Sequence, residues 1–225
     1  MPLARSYRDA MASPSPTLVL AAHPLELAPL AQALDAHPHL ARRVTIATVG
    51  VGIASAGAGT ARVLCAREPS RVLLLGSAGV YPERFAFEPG ELVAADRISL
   101  VDAACVAGRA QTPPAMCTST TTSPEFTASL CAAAGIARRV AIANTASITT
   151  EDALAHELAA QAHDVENLEA LPVALACDAA AIPFAALFGI TNEVGARGRS
   201  QWQAHHERAA QACADALLAW LRTTQ

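Results

Sequence analysis

Short runs of strand-forming residues alternate along this chain with longer segments of helical spacing, and that alternation restricts the fold more than any other feature. Residues 17–22, 44–49 and 71–75 read as buried strands. A helical pattern over 25–34 separates the first two, and a small-residue helix running from Gly50-Val51-Gly52 through Cys65 separates the next two. Residues 91–98 form a fourth strand. Ser123-Pro124-Glu125 supplies an N-cap and a first-turn proline for a helix that Gly135 closes. A strand over 139–143 follows, then a helix opened by Thr150-Glu151-Asp152, whose acids suit the positive end of its dipole. Residues 163–166 read as a short strand before a helix over 168–180. A strand over 184–190 and an amphipathic helix over 203–221 close the chain. The pattern predicts one α/β domain over 17–225, a mixed central sheet flanked by helices, behind a flexible lead-in over 1–16 that ends in Ser13-Pro14-Ser15-Pro16.

Composition narrows the function classes. Hydrophobic residues make up 52% and aromatic residues 4%, so the core is built from Ala, Val, Leu and Ile. Charged residues are only 16%, below the usual quarter, which points to surface covered by a partner, a second copy of the chain. All sixteen cationic side chains are Arg; with no Lys, a Walker phosphate lysine and a Schiff-base lysine are excluded. The net charge is −4 and no basic run exceeds Arg42-Arg43 or Arg138-Arg139, so no nucleic-acid footprint is expected. No apolar stretch suits a membrane span, and residues 1–16 lack the apolar segment of a secretory signal. Six cysteines without a CxxC pair read as reduced, mostly buried thiols of a cytoplasmic protein. His37-Pro38-His39 and His205-His206 lack a ligand set, so they read as surface histidines and no metal is expected.

Ligands of open α/β sheets sit beyond the carboxyl ends of strands. Four polar or Gly-rich segments fall there: Ala22-His23-Pro24-Leu25-Glu26, Gly50-Val51-Gly52, Gly76-Ser77-Ala78-Gly79 and Gly189-Ile190-Thr191-Asn192. A fifth, Val165-Glu166-Asn167-Leu168-Glu169, lies at a strand-to-helix junction. The glycines let backbone approach a ligand, although tight turns would also use them. Position 55 is Ser, so Gly50-Val51-Gly52 is not a dinucleotide fingerprint. Neither this loop nor Gly76-Ser77-Ala78-Gly79 has an adjacent Arg to hold phosphate, which favours water as a nucleophile.

In these segments, from about Thr17 to its C-terminus, the chain resembles the nucleoside phosphorylase/hydrolase family, which includes methylthioadenosine/S-adenosylhomocysteine nucleosidase and futalosine hydrolase. Val165-Glu166-Asn167-Leu168-Glu169 resembles the family's ribose-binding E-x-M-E segment, with Leu168 for Met. Gly76-Ser77-Ala78-Gly79-Val80-Tyr81-Pro82 and Gly189-Ile190-Thr191-Asn192, followed by Arg197-Gly198-Arg199-Ser200-Gln201-Trp202, are most similar to the futalosine hydrolases. Ala170 and Pro172 depart from the pattern; Pro172 falls in a first helical turn, where a missing N–H costs little.

The resemblance implies a purine nucleoside substrate, a homodimer, and no metal or organic cofactor. It makes Glu26 the base that activates water, Asn192 the group facing the leaving base, and Ser77, Ala78, Gly79, Leu168, Glu169 and Ile148 the substrate-binding set. Glu169 would accept hydrogen bonds from the ribose hydroxyls. Either acid would otherwise serve as a first-turn helix acid. Relatives specific for adenine carry Asp where Asn192 stands; the two amide hydrogens of Asn suit N7 and O6 of a 6-oxopurine. The reaction implied is futalosine to hypoxanthine and dehypoxanthine futalosine, a step of menaquinone biosynthesis. Arg197 and Arg199 would meet a substrate carboxylate or lie in a solvated loop. The alternatives are a methylthioadenosine/S-adenosylhomocysteine nucleosidase, a purine nucleoside phosphorylase, or a nucleoside-binding protein without turnover.

Overall fold

A computed structural model describes residues 16–224. The lead-in expected over 1–16 therefore lies, Pro16 apart, outside the described residues. The elements run β1 (Thr17–Ala21), α1 (Pro24–Ala36), α2 (Pro38–Ala41), β2 (Val44–Thr48), α3 (Ile53–Ala66), β3 (Arg71–Val80), β4 (Leu92–Leu100) and α4 (Ala103–Val106). They continue as β5 (Ser119–Thr121), α5 (Pro124–Ala134), β6 (Arg139–Asn144), α6 (Asp152–Ala159), β7 (Val165–Asn167), α7 (Ala170–Ala179), β8 (Phe184–Glu193) and α8 (Gly198–Thr223).

Every residue of β1 is buried, as a strand covered on both faces requires. It lies between β2 and β3, parallel to both, with Thr17 opposite Val44 and Arg71. The strand period of two then sorts its side chains. Leu18 and Leu20 pack in one layer with Val63 of α3 and Leu171 and Val173 of α7. Val19 and Ala21 point to the other layer, with Leu30 of α1, Phe126 of α5 and Leu217 of α8. A buried Leu contributes about 1.5–3 kcal/mol, so these two layers hold the sheet.

β8 runs parallel to β3 along its other edge and turns onto β4 in antiparallel pairing. β4 pairs with β6, β6 with β7, and β7 returns to β3 at Gly79 and Val80. Five strands thus close a circuit, while β5 pairs with β4 and β1–β2 extend from β3. The sheet is mixed, as its sequence pattern predicts.

The largest difference from the sequence reading concerns β3 and β8. Both run on through the Gly-rich segments expected to follow them: Gly76 pairs with Phe188 and Ser77 with Gly189, before a register shift sets Gly79 against Asn192. Pairing between the two strands overrides low strand propensity. These glycines serve close approach instead of turns. A Cβ on Gly189 would lie 2.6 Å from Ala209 of α8, and one on Gly79 2.6 Å from the Asn192 amide nitrogen. The closing helix also starts earlier than expected, at Gly198. Strand β5 and the single-turn helices α2 and α4 have no counterpart in the sequence reading.

Other elements follow local chemistry. Ser123 caps α5 and Gly135 ends it at φ 66°. Pro172 sits in the first turn of α7, whose first backbone bond runs from Val173 N to Glu169 O. The thiols correct one expectation: only Cys177 and Cys213 are buried, while Cys65 and Cys117 are exposed. Among the described residues no helix is long and apolar enough to cross a membrane.

Candidate active site

The carboxyl ends of β1, β3 and β8, the β7–α7 junction and the inner face of α8 enclose a cavity of about 350 Å³. Glu26, Ser77, Ala78, Gly79, Ile148, Leu168, Glu169 and Asn192 all line it. Residues spread over 166 positions of sequence are brought together here by the sheet's crossovers.

Glu26 stands in the first turn of α1, where the chain leaves β1. Its Oε2 accepts from the backbone N–H of Ala22 and His23, both at 3.1 Å, while His23 Nδ1 accepts from Leu25 N. The reciprocal arrangement is a capping box, with His in the usual Ser/Thr role. Its Oε1 reaches across to β3 and accepts from Ser77 N at 3.1 Å and Ser77 Oγ at 3.4 Å. Burial pushes the Glu26 carboxyl above its ordinary value, and the bonds from His23, Ser77 and Ala22 pull against that shift. The result is an oriented carboxylate that gains a proton more readily than one in water.

Glu169 is the residue just before α7, only 6% exposed. Oε1 accepts from Gly52 N at 2.8 Å and Oε2 from Asn167 Nδ2 at 3.2 Å. Gly52, at φ 82°, carries the backbone N–H inward at the start of α3, which explains the Gly50-Val51-Gly52 loop. Burial raises the Glu169 pKa; the Gly52 bond opposes it and the nearby charge of Glu26 adds to it. Two buried amides fix this corner. Asn167 Oδ1 accepts from Glu169 N and Ala170 N, and Asn144 Oδ1 from Leu171 N, while Asn144 Nδ2 donates to Leu168 O.

Glu166 also lines the cavity, but its oxygens already accept from Thr149 N, Thr149 Oγ1 and Tyr81 OH at 2.6–3.1 Å. It anchors the loop that carries Ile148. Glu169 has one donor fewer around an equal charge and keeps acceptor capacity for a ligand.

Asn192 carries a correction. Its Oδ1 accepts from Thr191 Oγ1 at 2.7 Å and its Nδ2 donates to Glu193 O at 2.9 Å. A carbonyl can only accept, so this orientation of the amide is fixed. One N–H remains for a ligand instead of two.

Sequence reading missed the wall formed by α8. Arg199, Trp202, Gln203, His206, Ala210 and Cys213 line the cavity at helical spacing. Because the helix was expected from residue 203, the first of these read as loop; the spacing itself carried the signal. Trp202 donates its indole N–H to Ser77 Oγ at 3.1 Å and stacks on His206, ring centroids 4.6 Å apart. His206 is therefore a cavity residue, unlike the surface histidine expected. The two arginines also separate: Arg199 lines the cavity, whereas Arg197 pairs with Glu193 at the surface. Among the described residues no three His, Cys, Asp or Glu side chains cluster as metal ligands.

A family model described as the phosphorylase superfamily matches residues 17–222. A search of curated protein sequences finds no match. Among solved structures, the futalosine hydrolase of Helicobacter pylori superposes with TM-score 0.81 at 17% identity, covering 93% of this chain and 98% of that one. A methylthioadenosine/S-adenosylhomocysteine nucleosidase of the same organism gives TM-score 0.81 at 16% identity, over 95% of this chain and 100% of its own. The Streptococcus pneumoniae nucleosidase of that kind, in complex with 8-aminoadenine, gives 0.79 at 18%, over 93% and 100%. At such identities the likeness speaks for the fold alone. With the family match spanning nearly all of the described residues, the chain belongs to the phosphorylase superfamily and has the nucleoside phosphorylase/hydrolase fold.

Proposed function

We propose that this enzyme hydrolyses the N-glycosidic bond of a 6-oxopurine nucleoside, with futalosine, cleaved to hypoxanthine and dehypoxanthine futalosine, as the foremost candidate. The observation that carries the choice of water over phosphate is the position of Glu26. Its carboxylate already takes both the N–H and the hydroxyl of Ser77, the donors at the Gly-rich corner of β3. A phosphate dianion at those donors would meet a negative charge. Water would meet a base.

Glu26 takes a proton from water as the oxygen bonds to C1′ and the C1′–N9 bond breaks toward an oxocarbenium-like state. Glu169, fixed by Gly52 and Asn167, accepts from the ribose hydroxyls and offsets the positive charge developing on the sugar. The free N–H of Asn192 donates to O6 of the departing base, which then collects a proton from solvent. A 6-amino group would turn a hydrogen toward that N–H. Leaving such a polar group unpaired costs about 1–3 kcal/mol, roughly tenfold to a hundredfold in selectivity.

The same reading includes a homodimer. Leu25, Val51, Ile148 and Trp202, four of the five large apolar side chains exposed among the described residues, ring the cavity mouth, where a second copy would cover them.

The test uses futalosine and its 6-amino counterpart, with free base followed by chromatography. Turnover should be equal with and without phosphate, yield no sugar 1-phosphate, and favour the 6-oxo compound. Strict phosphate dependence would make the protein a phosphorylase; equal cleavage of the 6-amino compound would remove Asn192 as the selector.

A further inference from the structure

The mechanism leaves Trp202 unused, yet its place is specific. It is 37% exposed at the cavity mouth, while its indole N–H reaches inward to Ser77 Oγ. An indole N–H can only donate, and a serine hydroxyl has a single hydrogen. Once Trp202 occupies a lone pair of Ser77 Oγ, that hydrogen is free to serve Glu26 Oε1, 3.4 Å away. The ring cannot drift from this position easily, because His206 stacks on it at an interplanar angle of 17°. His206 is held in turn by its Nδ1, which lies 3.3 Å from Trp202 O and 3.2 Å from Gln203 O.

We infer that Trp202 is a positioning residue for Glu26, acting through Ser77: the one-way chain from indole to hydroxyl to carboxylate holds Oε1 against β3 and keeps the ionised form supplied with donors. The inference rests on the reading of Glu26 as the base. It also connects the rim to the reacting centre, since whatever touches the exposed edge of Trp202 also touches the first link of the chain.

The charged and titratable groups facing Glu26 are His23 on its own helix, Glu166 and Glu169 from the β7–α7 segment, and Arg199, His206 and Cys213 on α8. Trp202→Phe leaves all of them in place, keeps an aromatic ring beside His206 and removes the N–H together with the five-membered part of the indole. With futalosine as substrate, kcat should fall about three- to tenfold, the loss of one ordinary hydrogen bond, with KM nearly unchanged. The acid limb of the kcat profile should move to higher pH, because the Ser77 bond that favours the ionised carboxylate is loosened. Ser77→Ala should do the same, and the double variant should be no worse than Ser77→Ala alone.

A substrate-free measurement separates this inference from the functional reading. The chain has two tryptophans, so the indole N–H signal of Trp202 can be assigned by its loss in Trp202→Phe. In nuclear magnetic resonance it should titrate with Glu26, cease to do so in Glu26→Gln and in Ser77→Ala, and still do so in His206→Gln. A titration that survives Ser77→Ala, or that disappears only with His206, overturns the relay even if the enzyme cleaves nucleosides as proposed. So does a Trp202→Phe variant that changes KM alone. Conversely, a relay seen in the resonance data beside full turnover by Glu26→Gln would overturn Glu26 as the base, and with it the positioning role.

Discussion

Glu26 and Glu169 face the same cavity but are held by opposite kinds of scaffold. Glu26 takes two of its donors from within four residues, through a capping box, and two more from Ser77 across the sheet. Glu169 takes one from Asn167, two residues away, and one from Gly52, 117 residues away. Burial raises the pKa of both, yet four bonds counter the rise at Glu26, whereas Glu169 also feels the charge of its neighbour. The difference suits two tasks. A base must change protonation state without losing its place, and a capping box keeps Glu26 oriented from its own helix. A sugar clamp must be rigid, and Glu169 is locked between two loops.

The sharpest way to break this comparison is to remove the two charges separately. Glu26→Gln should lower kcat by about 10²–10⁴-fold, the usual worth of a general base, and abolish the acid limb. That limb should lie above the ordinary carboxylate range in the native enzyme, because the base works ionised and its pKa is raised. Gln is not a neutral replacement here. Its NH2 must face either the Ala22 and His23 N–H groups or those of Ser77, so retained folding should be checked by circular dichroism beside the kinetics. Near-normal turnover would place the base elsewhere.

Glu169→Gln should cost less, about tenfold to a hundredfold in kcat/KM, the worth of charge-assisted bonds to the ribose. The acid limb should remain, since Glu26 still titrates. If both variants lost the limb, the two carboxylates would be sharing one task, and the division drawn here would collapse.

The same contrast explains what the sequence could disclose. Glu26 was legible as a first-turn acid after a strand end because its scaffold is local, and as a base only through the family resemblance. The Glu166–Glu169 segment was legible only by its likeness to a family motif, since its partner Gly52 lies far off in sequence. Strand and helix existence followed from periodicity, but the ends of β3 and β8 did not, because their pairing carries them through glycines that would otherwise stop a strand. The spare N–H of Asn192 could not be counted without the Glu193 carbonyl that takes the other. Trp202 was missed, and Arg199 left undivided from Arg197, for a simpler reason. A helix start placed five residues late moved them off the face that lines the cavity.

A buried titratable group with no such scaffold sharpens the comparison at the smallest expected effect. His163 lies just before β7, 6% exposed, and neither ring nitrogen has a hydrogen-bond partner. Burial lowers its pKa, helped by the charges of Arg97 and Arg84 and opposed by Asp164. Below pH 6.5 the unfolded chain therefore binds a proton that the folded protein resists, so His163 withdraws stability as pH falls and stops doing so below its folded pKa. Glu26, Glu166 and Glu169 act in the opposite sense. Their raised values mean that the folded form keeps protons the unfolded chain has released, so their contribution declines as pH rises from about 4.5. His163→Leu removes only the first effect. It should gain about 1 kcal/mol at pH 7.5 from relieving unpaired polar atoms, and the gain should grow as pH drops below 6.5. Urea denaturation of both proteins across that range measures it. A difference between them that stays constant with pH would mean that His163 is no harder to protonate in the folded protein than in the open chain, and that a buried group without partners can be as well accommodated here as the two carboxylates with theirs.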